Sequence, residues 1–201
     1  MVRTVFSDKV SIKLLKDKRK GTINLNSFAP ADIKQAVVDA WQAAQSAAPD
    51  EAEGIAEMQE NLSFSSGEEK PDLDLMYKQL TDLLADAKQD FPKISFDSIG
   101  VEHNYSEKVY ANTNGVRLSD AQGVYQLSNM FMAKDGDLTS SFNYFGSVYN
   151  DPAERVTESG RVRRLLDETQ QQIVTEQIEG SFTGDVVITP GCLENILWFV
   201  G

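Results

Sequence analysis

Very few side chains in this chain could carry chemistry. There is one histidine, His103, and one cysteine, Cys192. A zinc site built on His103 would need at least two carboxylates or the distant Cys192 to complete its ligands. Glu102 is adjacent, but neighbours in an alternating strand point to opposite faces, so the two form no dyad. A serine nucleophile needs a base, and only His103 or a lysine could serve. No Gly-x-Ser-x-Gly elbow occurs. Ser65-Ser66-Gly67 lacks the following Lys-Ser or Lys-Thr of a phosphate loop and reads as a surface turn. Asp72 and Asp74 stand where a helix begins, and there they complement the helix dipole. Cys192 has apolar neighbours, the setting of an inert packed thiol, and a lone cysteine makes no disulfide within the chain. The sequence therefore holds no catalytic, cofactor-binding or metal-ligating set of a standard kind.

Aromatic residues are a second kind of candidate. Tyr105, Tyr110, Tyr125, Phe131, Phe142, Tyr144, Phe145 and Tyr149 cluster in the middle of the chain. They read either as core and cross-strand pairs or as a groove for an extended polypeptide, built from strand edges and aromatic pockets. On the second reading Tyr125 and Tyr144 are peptide contacts, joined by Trp198 and Phe199 as contacts to peptide or partner.

The elements that would position these residues follow from periodicity. Val10, Ile12 and Leu14 alternate with polar residues, and Thr22–Asn26 alternates again beyond a turn at Lys18–Gly21, so a β-hairpin is expected. Pro30 opens a helix whose stripe is Ile33, Ala36, Val37, Ala40, Trp41 and Ala44. The alanines predict close packing against a sheet. Residues 49–71 read as an acidic surface connection, with a short helical turn near Ile55–Met58. A second helix follows Pro71-Asp72 and ends at Phe91-Pro92, since the residue before proline avoids the helical region. Then come Ile94 to Tyr105 with a phase slip near Asp97-Ser98 that suggests a bulge, Glu107–Asn112 as a returning strand, and a turn at Asn112–Gly115. Val124–Lys134 and Leu138–Tyr149 flank the hairpin dipeptide Asp135-Gly136. A third helix is expected over 159–178, a short strand at Asp185–Ile188, and a last helix from Pro190. That helix (Leu193, Ile196, Leu197, Trp198, Phe199, Val200) is apolar on nearly every face, which is normal only for a fully covered helix. It reads as the boundary to a further domain after Gly201. The fold class is α+β: a β-hairpin and helices over 1–92, then a long antiparallel meander with a helix and a strand over 93–201.

Composition sets outer limits. The 201 residues are 41% hydrophobic and 25% charged, ordinary values for a globular chain. No run reaches the roughly 18–20 apolar residues of a membrane span. The start has no apolar signal region, so a cytoplasmic location is expected. Net charge is −12, which disfavours nucleic acid as a partner. Residues 1–20 nonetheless carry +5, leaving −17 on the rest. The cluster Lys16-Asp17-Lys18-Arg19-Lys20 is either an anion patch or the solvated turn of the hairpin, and the following Gly21 favours the turn.

The order of these elements resembles the TldD/PmbA proteins. Val10–Asp17, then Lys20–Pro30, is similar to that family's early hairpin and proline-opened helix. Pro71-Asp72-Leu73-Asp74-Leu75 matches the start of its second helix. Lys108–Gly115 resembles a strand ending in an Asn-x-x-Gly-like turn, and Gly184–Gly191 resembles the strand and turn leading into the family's C-terminal domain. The resemblance spans most of residues 10–200. It implies a cytosolic, peptidase-type protein, of the group formerly labelled modulators of DNA gyrase, in which two related subunits enclose a cavity. In the family the TldD-like subunit carries a zinc motif, His-Glu-x-x-x-His, on the helix after the Pro-Gly turn. Trp198 and Phe199 stand here where the first His and the Glu would be. Neither binds zinc or moves a proton, so the resemblance implies the PmbA-like branch. It implies no cofactor in this chain, zinc only in a TldD-like partner, and unfolded peptide as the thing held; self-association of this chain is the other partnership expected. A stand-alone binding module is the alternative, and a nucleic-acid regulator a weaker third.

Overall fold

The computed structural model describes residues 3–151, 153, 155–158, 160–176, 180–181 and 183–200, with the backbone alone for 191, 194 and 195. The chain forms two compact units. One comprises Met1–Lys70 with His103–Val124, the other Pro71–Glu102 with Tyr125–Gly201. The units therefore do not follow chain order at residue 92. Two long strands, β4 (Ile94–Ala111) and β5 (Arg117–Asp135), each give one half to each unit.

In the first unit, β1 (Val10–Lys16) and β2 (Arg19–Leu25) form an antiparallel hairpin with Lys16 opposite Arg19. Its turn residues Asp17 and Lys18 both have positive φ, 51° and 62°, the two-residue turn whose twist suits a hairpin. The basic cluster is that turn, as expected. α1 (Pro30–Ser46) starts at its proline and buries Ala36, Ala40 and Ala44. A β-carbon on Gly21 would stand 1.8 Å from the Ala40 carbonyl oxygen. Only glycine on the strand and alanine on the helix allow backbones this close, which is why the stripe is made of alanines.

Residues 49–61 contain no helical turn at Ile55–Met58; the segment turns at Asp50–Glu53 and then runs as a strap without regular secondary structure. The Asp50 N–H donates to the Lys18 carbonyl at 2.8 Å. Lys13 and Lys20 both reach Glu53. The amides of Asn112 and Asn114 donate to the Ala56 carbonyl at 2.9 and 3.0 Å. The strap then enters β3 (Leu62–Ser66), which pairs in parallel with Leu118–Gln122 of β5. This strand within the expected surface connection makes the sheet mixed rather than a pure meander. The turn at 112–115 is as expected: Asn112 Oδ1 accepts from the Asn114 and Val116 N–H groups, and Gly115 has φ 89°.

In the second unit, α2 (Leu73–Asp90) is capped by Asp72, whose side chain accepts from the Leu75 N–H at 2.9 Å. β4 is one continuous strand, so Glu107–Asn112 does not return; it extends the strand that starts at Ile94. The phase slip is visible as consecutive exposed residues Asp97 and Ser98, after which Ile99, Val101 and His103 are half-buried, while Tyr105 is exposed. The Leu138–Tyr149 segment is divided into β6 (Leu138–Thr139) and β7 (Asn143–Tyr149), both antiparallel to β5. α3 (Gly160–Gln171) is shorter than expected, and residues 159 and 177–178 of the expected range lie outside those described. Asp185–Ile188 forms no strand, because no neighbouring strand pairs with it among the described residues. α4 (Pro190–Val200) closes the chain.

The core of this unit joins Leu83 and Phe91 of α2, Leu127 and Phe131 of β5, Phe145 of β7, and Val162 and Leu166 of α3. Arg163 ties α3 to Asp90 of α2 at 2.8 Å.

Candidate functional site

A hollow lies in the second unit, beside β7. It is a cleft of about 530 Å³, lined on one side by Phe145, Gly146, Ser147 and Tyr149 and completed by Gln79 of α2, Asp151, Arg155, Val156, Glu158 and Arg161. Each wall has a reason to stand where it does. β7 is held by β5, with Tyr149 opposite Tyr125 and Phe145 opposite Asn129. The rings of Tyr149 and Tyr125 stack at 6.1 Å with 10° between their planes. The Tyr149 hydroxyl donates to Gln79 Oε1, and the Asp72 N–H donates to the Tyr125 hydroxyl at 2.9 Å. Burial pushes the Tyr149 hydroxyl up to about 12, with Tyr125 adding to the rise and the Gln79 bond opposing it.

The opposite wall is fastened to α2. Arg155 donates to Asp86 at 2.6 Å and lies 3.9 Å from Asp82, while the Thr157 hydroxyl donates to the second Asp86 oxygen. Lys78, with Arg155 adding, holds the Asp82 carboxyl below its usual range. Asp151 accepts the Ala153 N–H at 2.8 Å. Arg161 has no ion-pair partner among the described residues. β7 has β5 on one side and no strand on its other side among the described residues.

Of the residues singled out from sequence, Tyr144 is 80% exposed on β7, on the face opposite Phe145. Tyr125 is 1% exposed, which removes it as a peptide contact: its ring and hydroxyl are both engaged inside the unit. Trp198 and Phe199 are 87% and 96% exposed on α4. Cys192 is also exposed, so it is not the packed thiol expected from its neighbours; it sits on α4, whose large apolar residues Leu197, Trp198, Phe199 and Val200 are themselves exposed. In the first unit His103 Nε2 donates to the Glu68 carbonyl at 2.9 Å. No group of three or more His, Cys, Asp or Glu able to hold a metal occurs among the described residues, and no helix among them is long and apolar enough to cross a membrane.

The cleft residues were missed by sequence reasoning. They come from three separated segments, and only Phe145 and Tyr149 carried a signal, as two aromatics among eight.

No protein-family model and no curated protein matches the chain. Solved structures do. TldE from Thermococcus kodakarensis is similar with a TM-score of 0.59 and 17% identity, over 82% of this chain and 37% of that one. A protein from Thermotoga maritima, described as a candidate modulator of a DNA gyrase, is similar with a TM-score of 0.55 and 17% identity, over 82% of this chain and 36% of that one.

Proposed function

From a chain with the mixed α+β fold of these proteins, spanning little more than a third of their length, we propose a PmbA-like, non-catalytic part of a TldD/PmbA-type metallopeptidase. It shapes the chamber and holds unfolded peptide for a zinc-bearing TldD-like partner in the cytoplasm. The fold likeness over 82% of the chain is the observation that carries this reading. The residue supply agrees with it. The only histidine is engaged with a backbone carbonyl in the first unit, and Trp198 and Phe199 occupy the positions where the family's motif places ligand and base. These residues do not fit zinc, so the hydrolytic step belongs to the partner. The exposed α4 suits coverage by a partner subunit or by further chain, since large apolar surface left bare promotes association.

The test is to mix the chain with a zinc-loaded TldD-like peptidase and follow both complex formation and hydrolysis of an unfolded protein. A complex with faster, chelator-sensitive hydrolysis supports the reading. No complex and no change in rate refutes it.

A further inference from the structure

β7 is an edge strand among the described residues. Its outer edge offers the unpaired N–H and C=O groups of every second residue, a template for another strand. Natural edges are usually blunted by lysine, proline or charge. Asn143-Tyr144-Phe145-Gly146-Ser147-Val148-Tyr149 contains none of these. The volume of about 530 Å³ is lined on this strand by Phe145, Gly146, Ser147 and Tyr149, and falls within the range of about 300–1,000 Å³ seen for ligand sites. At about 3.3 Å per residue, that stretch matches an extended segment of four or five residues. The far wall is polar. Its charged groups are Asp151, Glu158 and two arginines that differ: Arg155 is neutralised by Asp82 and Asp86, whereas Arg161 has no ion-pair partner within 4 Å among the described residues. A guanidinium in that state fits a carboxylate with two parallel hydrogen bonds.

We propose that the β7 edge and its cleft dock an extended peptide segment, whose main chain pairs with β7 and whose carboxylate meets Arg161. The inference rests on the peptide-holding reading and gives it a place. A second copy of this chain is the poorer occupant, because its own β7, Asn143–Tyr149, carries no carboxylate to meet Arg161.

The experiment is fluorescence polarisation with the whole chain and the probe fluorescein-Gly-Val-Thr-Val-Glu. Companion probes carry Gln-amide in place of the terminal Glu, or N-methyl groups on alternate residues. Unfolded, carboxymethylated lysozyme is measured in parallel. The expected result is about tenfold weaker binding for both companion probes, the scale of a lost charge-assisted contact. Arg161→Gln should bind the Glu and Gln-amide probes equally. Arg164→Gln, on the same helix but paired with Glu168 at 2.7 Å, should bind like the parent chain. If the N-methylated probe binds as tightly as its parent, or Arg161→Gln changes nothing while the unfolded protein still binds, this site is wrong and the holding role stands. If neither probe nor unfolded protein binds, both readings fall. A dimer that Val148→Lys dissociates would assign the edge to a second copy and overturn the proposal.

Discussion

The Cα of Gly123 lies directly against the backbone of Glu68: a β-carbon at 123 would stand 1.9 Å from the Glu68 carbonyl oxygen. Gly67, with φ 68°, makes the reciprocal approach to the Gly123 carbonyl. The same Glu68 oxygen accepts from His103. Two glycines and the only histidine thus fix the segment that leaves β3. Gly123→Ala forces backbone to move against backbone, and overpacking of this kind costs about 1–3 kcal/mol or more. Gly21→Ala should cost a similar amount, for the clash with Ala40. Gly146→Ala should lie within about 0.5 kcal/mol of the parent, because its β-carbon would meet only the Leu127 carbonyl oxygen at 3.7 Å. Urea unfolding of the three variants checks the order. Equal stability of all three would contradict the close approaches.

Stability should fall at high pH through Tyr149. Its hydroxyl has a folded value of about 12 against an ordinary 10.0. A raised folded value means the contribution is complete below pH 10 and is lost as pH rises through 12. Lys20, raised by Glu53, acts in the same direction. Tyr149→Phe should be less stable than the parent at pH 8 by about 1 kcal/mol, the worth of one hydrogen bond. The difference should shrink as pH climbs from 10 to 12. Urea midpoints at pH 8, 10 and 11 measure it, and a constant difference counts against the assignment.

Zinc should not bind tightly. With one His and one Cys, the chain lacks the set a four-coordinate site requires. Elemental analysis after dialysis should find well under one zinc per chain. A stoichiometric, chelator-resistant zinc would overturn the PmbA-like reading.

α4 should drive association when nothing covers it. Replacing Trp198 and Phe199 together with Ser should lower the mean mass seen by light scattering and leave the circular dichroism unchanged. Burying side chains of this size is worth roughly 1.5–3 kcal/mol each, and here both are almost wholly exposed. If the double variant unfolds, the two residues belong to the chain's own core.

What could be read from the sequence depended on how local its cause was. α1 and α2 were legible because Pro30 and the Asp72 cap act within one turn. The β1–β2 turn was legible because Asp17-Lys18 is followed by Gly21. β3 was not: all five of its residues are exposed, and its order comes from pairing with β5, 56 residues away at Ser63 and Ser119. Asp185–Ile188 has the residues of a strand, but a strand exists only beside a partner. Tyr125 and Tyr144 looked alike as strand aromatics. They sit on opposite faces, and only the β5–β7 register, with Tyr125 opposite Tyr149 and Tyr144 opposite Met130, tells them apart. The cleft was beyond reach for the same reason, since α2, β7 and the start of α3 meet only through the core.

The central claim is that this chain holds unfolded peptide without cutting it. The direct measurement is binding and integrity of unfolded, carboxymethylated lysozyme incubated with the purified chain, with and without EDTA. The account predicts saturable binding that EDTA leaves unchanged, and substrate of undiminished length after prolonged incubation. Cleavage that EDTA abolishes and that follows the chain through repurification would contradict it, as would a complete absence of binding.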